Sequence, residues 1–184
     1  GTETQFFTYN KTDNSISAFN KLNGLSDVNV SAINYNETLN VVILGYENGN
    51  VDLFYPNHVI NIPYIKEAGI PGPKTINDIF VKSGIAYLSC SFGLVQLNIS
   101  KAEILDTYYF PQNGINSSVY SCYVFDDKIS SPSNSFLPGK IFVATSSGVF
   151  AANTNSNNLI DPNNWSSDFP AFQNGVSLGN INNF

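Results

Sequence analysis

Apolar and polar residues alternate along this chain in short runs, and three of the runs share one layout. They read "VVILGYENGNVDLF", "YLSCSFGLVQLN" and "IFVATSSGVFAAN". Runs of about 4 to 8 β-branched and aromatic residues, split by a short Gly-containing spacer, predict antiparallel hairpins. The turns are expected at Asn48-Gly49, Ser91-Phe92-Gly93 and Ser147-Gly148, each glycine supplying the positive φ that a tight turn demands. No stretch sustains the i, i+3, i+4, i+7 apolar spacing of an amphipathic helix.

Aligned on the three glycines, Val51, Val95 and Phe150 share one column and Leu53, Leu97 and Ala152 another. The two columns lie two residues apart, as on one face of a strand. "QFFTYN" adds an incomplete copy with Phe7 and Tyr9 in those columns. Ile33, Ile79 and Cys122 mark the strand leading into each hairpin, at intervals inside the roughly 40 to 50 residues of a four-stranded propeller blade. "GVSLGNINNF" matches "GLSDVNVSAI" in length and places Phe184 in the column of Ile33.

The fold class that follows is all-β: a partial β-propeller of four-stranded antiparallel blades. Residues 1–184 are read as a single propeller segment, with blades at 28–66, 74–110 and 117–166 and partial-blade strands at 5–20 and 176–184. One strand is missing from that fourth blade, so the chain reads as a piece of a larger ring. Val95 and Leu97 are expected on a buried face, with Gln96 pointing the other way. "DDKISSPSNSFLPGK", residues 126–140, reads as a surface insertion with Phe136 and Leu137 near its tip.

Composition narrows the function. Fourteen acidic against eight basic residues give a net charge of −6 with no Lys/Arg cluster, which argues against nucleic-acid binding. No apolar stretch approaches the roughly 18 residues of a membrane-spanning helix. Cys90 and Cys122 are read as buried thiols, and no Cys-x-x-Cys or His/Cys cluster offers zinc a ligand set. His58 follows "YPN" in a turn without a G-x-S-x-G elbow, and Asp126-Asp127 leads into a polar loop. The reading is therefore non-catalytic, with no cofactor and no metal. Asn-x-Ser/Thr triplets at Asn10, Asn36 and Asn164 are read as chance products of an Asn-rich composition.

Taken in order, "KLNGLSDVNVSAINYN", "LGYENGNVDLF", "INIPYI", "KTINDIF", "AYLSCSFGLVQLN" and "EILDTYY" resemble the N-terminal β-propeller of the PorZ family. That family is a cell-surface component of the type IX secretion system of Bacteroidota. The resemblance runs from about Phe6 to about Trp165. It implies an exported protein at the cell surface, associated with the outer membrane, or periplasmic. It also implies two propellers followed by a C-terminal β-sandwich, and partners in an attachment complex: a PorU-like sortase, PorV and PorQ. In that complex the sorting signal of secreted cargo is replaced by anionic lipopolysaccharide. The family's lipopolysaccharide contact belongs to its C-terminal region, so the resemblance carries no functional residue onto this sequence.

Two functions from different classes follow. The first is a non-catalytic assembly module that displays loops to partner proteins. The alternative is a periplasmic glycan sensor of the two-component regulator type, with polysaccharide as the ligand; a glycosidase or lyase ranks behind both. Candidate contact residues are Trp165, Phe169 and Phe172 in "NNWSSDFPAFQNG" and Tyr64 in the connector "PYIKEAGIPGPK", because aromatics are enriched where proteins meet partners. The competing role for the first three is to cover the open flank of the last blade.

Overall fold

The computed structural model describes residues 6–112, 114–125, 139–156 and 158–167. Strands β1 (Phe6–Tyr9) and β2 (Ile16–Phe19) pair as a hairpin. A four-stranded antiparallel meander follows, of β3 (Val30–Asn36), β4 (Val41–Tyr46), β5 (Val51–Phe54) and β6 (Val59–Ile62). One helical turn, α1 (Tyr64–Glu67), leads to a second meander of β7 (Ile76–Lys82), β8 (Ile85–Cys90), β9 (Gly93–Asn98) and β10 (Glu103–Tyr108). A short ladder, β11 (Pro111–Gln112) with β12 (Ile115–Asn116), then enters a third sheet. That sheet holds β13 (Val119–Val124), β14 (Lys140–Thr145) and β15 (Gly148–Asn153). Its fourth position is a single bridge between Ala151 and Ser166. This is the partial propeller of antiparallel blades that the repeat predicts.

Each sheet is apolar on both faces, so each must be covered twice, and the cores lie between blades. Val41, Ile43, Val51 and Leu53 of the first sheet pack against Ile76, Leu88, Val95 and Leu97 of the second. Leu94 and Tyr108, from the far side of the second sheet, meet Val119, Cys122, Ile141 and Val143 of the third. The N-terminal hairpin places Phe6 against Leu44 and Tyr46, with the rings of Phe6, Phe19 and Phe54 in mutual contact.

Polar staples repeat at the same joints. The innermost strand of every blade carries a bulge at its second residue: Ser31, Asn77 and Tyr120. A bulge re-aims its extra side chain. Ser31 Oγ donates to the Ile76 carbonyl at 2.7 Å, and Asn77 Nδ2 donates to the Val119 carbonyl at 2.7 Å. In both cases the acceptor is the first residue of the next blade's innermost strand. Tyr120, on the last blade, is instead exposed.

The turns correct two parts of the alignment. Cys90 pairs with Gly93 and Thr145 with Gly148 across two-residue turns. In the first sheet three residues intervene: the Tyr46 amide donates to the Asn50 carbonyl, and the Gly49 amide to the Tyr46 carbonyl. Gly49, at φ +84°, closes this longer loop in the left-handed region. Asn50, not Gly49, therefore occupies the place of Gly93 and Gly148. One extra residue exchanges the two faces of a strand, so the counterpart of Val51 by pairing is Leu94 rather than Val95.

The N-terminal hairpin shows the same one-residue slip, since Phe6 is buried while Phe7 and Tyr9 are exposed. Ile33 does share a pairing column with Ile79 and Cys122, opposite Leu44, Leu88 and Val143. It is nonetheless 53% exposed, because β1 and β2 cover only the outer part of that face. Strand 176–184, the interior of the 126–140 insertion and Asp126-Asp127 lie outside the described residues.

Candidate interaction surface

Antiparallel order puts the turns after β3, β5, β7 and β9 at one end of the blades. The β4–β5 and β8–β9 turns and the connectors between sheets lie at the other. At this connector end a polar network braces the first blade. Asp52, fully buried, accepts from the Ser26 amide at 2.8 Å, the Tyr46 hydroxyl at 2.6 Å and Asn61 Nδ2 at 2.9 Å. Asp27, also buried, accepts from Lys66 Nζ at 2.6 Å and Asn48 Nδ2 at 2.7 Å, with Lys21 Nζ at 3.5 Å. Three donors on one carboxylate make such a buried charge tolerable.

The connector is fixed by the same network. In α1 the side chain of Ile65 is buried while Tyr64 is exposed. Lys74 Nζ donates to the carbonyls of Lys66 and Ala68 at 2.7 and 2.6 Å, closing the end of the turn with a positive charge. Tyr64 thus stands on a rigid base, 58% exposed.

Burial alone would raise the Asp27 pKa, but the hydrogen bonds from Lys66 and Asn48 outweigh it and hold the carboxyl well below the usual carboxylate range. A carboxyl whose folded-state pKa is depressed stabilises the fold fully above its unfolded pKa of about 3.9, and loses that contribution as pH falls toward the folded value. Asp27→Asn is therefore expected to cost about 2 kcal/mol at pH 7. The gap from wild type in urea titrations should shrink steadily below about pH 4. A gap that stays constant down to pH 2 would contradict this account of Asp27.

Trp165 is placed in the core. Only 7% of it is exposed, its indole N–H donates to the Leu159 carbonyl at 2.9 Å, and its ring lies 5.6 and 5.0 Å from those of Tyr108 and Phe110. A 3-10 turn at Pro162–Asn164, capped by the Asp161 side chain on the Asn163 amide, sets it there. Trp165 and Tyr64 are not brought into one patch, and Phe169 and Phe172 lie outside the described residues.

Other reactive groups are spoken for or dispersed. His58 is exposed in the β5–β6 turn, stacked on Tyr55 and bonded through Nδ1 to Asn57 Oδ1 at 2.8 Å. Cys90 and Cys122 are free and buried; burial pushes both thiols up, Cys122 to about 12. Among the described residues no three His, Cys, Asp or Glu gather to hold a metal, and no helix is long and apolar enough to cross a membrane.

Sequence reasoning missed two features. One is the Asp27–Asp52 network, whose signal is the polar alternation Asn48-x-Asn50-x-Asp52 through a strand that otherwise reads as core. The other is Tyr35, 52% exposed at the opposite end of the blades.

Comparison with known proteins places this geometry. Residues 2–166 match the family described as the N-terminal β-propeller domain of PorZ of the type IX secretion system. No curated protein matches the sequence. Among solved structures, PorZ of Porphyromonas gingivalis, an essential surface component of that system, superposes with a TM-score of 0.73 at 24% identity, covering 91% of this chain and 20% of that one. The extracellular domain of a putative hybrid two-component system from B. thetaiotaomicron gives 0.63 at 14% identity, covering 86% of this chain and 19% of that one. Sqt1 of Saccharomyces cerevisiae gives 0.53 at 11% identity, covering 80% and 38%. These similarities are ones of fold, and the chain spans about a fifth of the length of the first two structures.

Proposed function

The chain belongs to the family of PorZ N-terminal β-propeller domains of the type IX secretion system, and from that premise we propose that it is a non-catalytic assembly module of the attachment complex. The observation that carries the reading is the family match, which extends through all three blades. In this role the propeller works outside the cytoplasm, at the cell surface against the outer membrane. It presents its loops to protein subunits, a PorU-like sortase among them. Residues 1–184 act as a single propeller segment in this role. Tyr64, exposed on a connector held by Lys66 and Lys74, is the side chain best placed to meet another subunit. Rigid aromatic side chains make effective anchors because little entropy is lost on binding.

Photo-crosslinking in cells tests the proposal. A photoreactive residue at position 64 of the full-length protein should yield an adduct with an attachment-complex subunit, and one at position 58 should not. Absence of any such adduct from position 64, in cells where the complex is assembled, would count against the assembly role.

A further inference from the structure

The third sheet turns Cys122, Val124, Ile141 and Val143 into the core it shares with the second blade. Tyr123 and Phe142 alternate with these along β13 and β14, pair with each other, and so face the other way. On that side Tyr120, Tyr123 and Phe125 are exposed. The rings of Tyr123 and Phe125 stand 4.7 Å apart, and Phe142 meets Phe125 edge-on at 5.7 Å. A contiguous aromatic patch left in water marks a contact surface. We propose that its occupant is a segment of this same chain, residues 176–184, which adds the innermost strand of a further sheet and seats Phe184 on Tyr123.

The two described joints between blades show how one sheet takes up the next. Ile79 and Cys122 share a pairing column with Ile33, and each lies buried against the preceding sheet. The residue after each column member reaches forward. Asn34 Nδ2 donates to the Ile79 carbonyl at 2.6 Å, and the Phe80 ring lies 5.0 Å from that of Tyr123, beside Cys122. Tyr123 is the third residue of this kind, so its forward neighbour is the next member of the column. The sequence puts Phe184 there, because Gly175, Ser177 and Asn180 repeat Gly24, Ser26 and Asn29. Asn29 takes φ +61° just before β3, a conformation that Asn tolerates, and Asn180 keeps that residue type. Ile181 then falls at the place of Ile76 and Val119, the apolar residues whose carbonyls accept the staples from Ser31 and Asn77.

Chain length fits the same placement. Rows of paired residues run from Asn34, Phe80 and Tyr123 across their sheets to the outermost position, ending at Ile60, Asp106 and Ser166. From Ile60 to Ile76, where the next innermost strand begins, is 16 residues, and from Asp106 to Val119 is 13. From Ser166 to Ile181 is 15. Residues 176–184 also carry no charged side chain, so laying them on a row of rings buries no ion. The contact is internal to the chain and stands whether or not Tyr64 meets a secretion subunit.

A photoreactive benzoylphenylalanine in place of Tyr123 in the full-length protein tests the proposal, with adducts mapped by tandem mass spectrometry and the fold of each variant checked by circular dichroism. The expected product is an intramolecular adduct to residues 176–184. Phe184→Ser should cut its yield about tenfold, the loss of one buried ring from the docking equilibrium. The same probe at Tyr9, exposed on the N-terminal hairpin, should give no adduct to this segment. Absence of any adduct between position 123 and residues 176–184 would overturn the docking, whether the probe reached other residues, a second molecule or nothing. An adduct to 176–184 whose yield Phe184→Ser left unchanged in a folded variant would equally overturn the seating of Phe184 on Tyr123.

Discussion

Replacing Leu97 by alanine is expected to destabilise the domain by about 2 to 5 kcal/mol, while Gln96→Ala next to it changes stability by about 0.5 kcal/mol or less. Leu97 is fully buried, flanked on its sheet by Ala86 and Ile104, and packed into the core shared by the first and second blades. Its loss leaves a cavity between two sheets that are stapled together through Ser31 and Asn34, so collapse around the void is restricted and the upper half of the range is favoured. Urea titrations that return unchanged slopes and a lowered midpoint would give the cost directly. If Gln96→Ala proved the more damaging change, the strand faces described here would be inverted.

The repeat was legible because each blade must bury both faces of its sheet, which writes nearly continuous apolar strands at a constant interval. The runs "VVILGY", "IAYLSC" and "IFVAT" are such strands, and they became β4, β8 and β14. The faces were less legible for the same reason. Where both faces are apolar, alternation no longer tells front from back, and only turn length fixes the register. Val51 and Val95 therefore look alike in sequence yet face different neighbours, separated by the one residue that distinguishes the Gly49 loop from the Gly93 turn.

The surface was harder to read than the core. Tyr64 could be picked out because it sits in a Pro/Gly-rich connector. Tyr35 and Trp165 could not be sorted by sequence, since each is an aromatic among Asn and Ser. What separates them is tertiary: Trp165 finds the rings of Tyr108 and Phe110 and a carbonyl for its N–H, whereas Tyr35 has only its hydroxyl anchored. The Asp27 network escaped for a related reason. Its members come from positions 21, 27, 48 and 66, and no local pattern announces that four separate segments converge.

Gly93→Ala is expected to cost about 3 kcal/mol, and Gly148→Ala about 1 kcal/mol, although only Gly148 has a positive φ, at +121°. Turn chemistry alone would rank them the other way. A methyl group on Gly148 meets nothing within 4 Å, so its penalty is confined to backbone preference. A methyl group on Gly93 would stand 2.5 Å from the carbonyl oxygen of Tyr108. That oxygen belongs to the adjoining strand, where Tyr108 pairs with Leu94, so no side-chain rotation can relieve the contact. Relief requires β9 and β10 to part where Leu94, Tyr108 and Phe110 pack against the third blade. Overpacking of about 1 to 3 kcal/mol is thus joined by loss of ladder hydrogen bonds at about 1 kcal/mol each. Urea midpoints for the two variants decide the matter: a Gly148→Ala cost equal to or above that of Gly93→Ala would mean that φ, and not the approach of the Tyr108 carbonyl, explains the glycine in this turn.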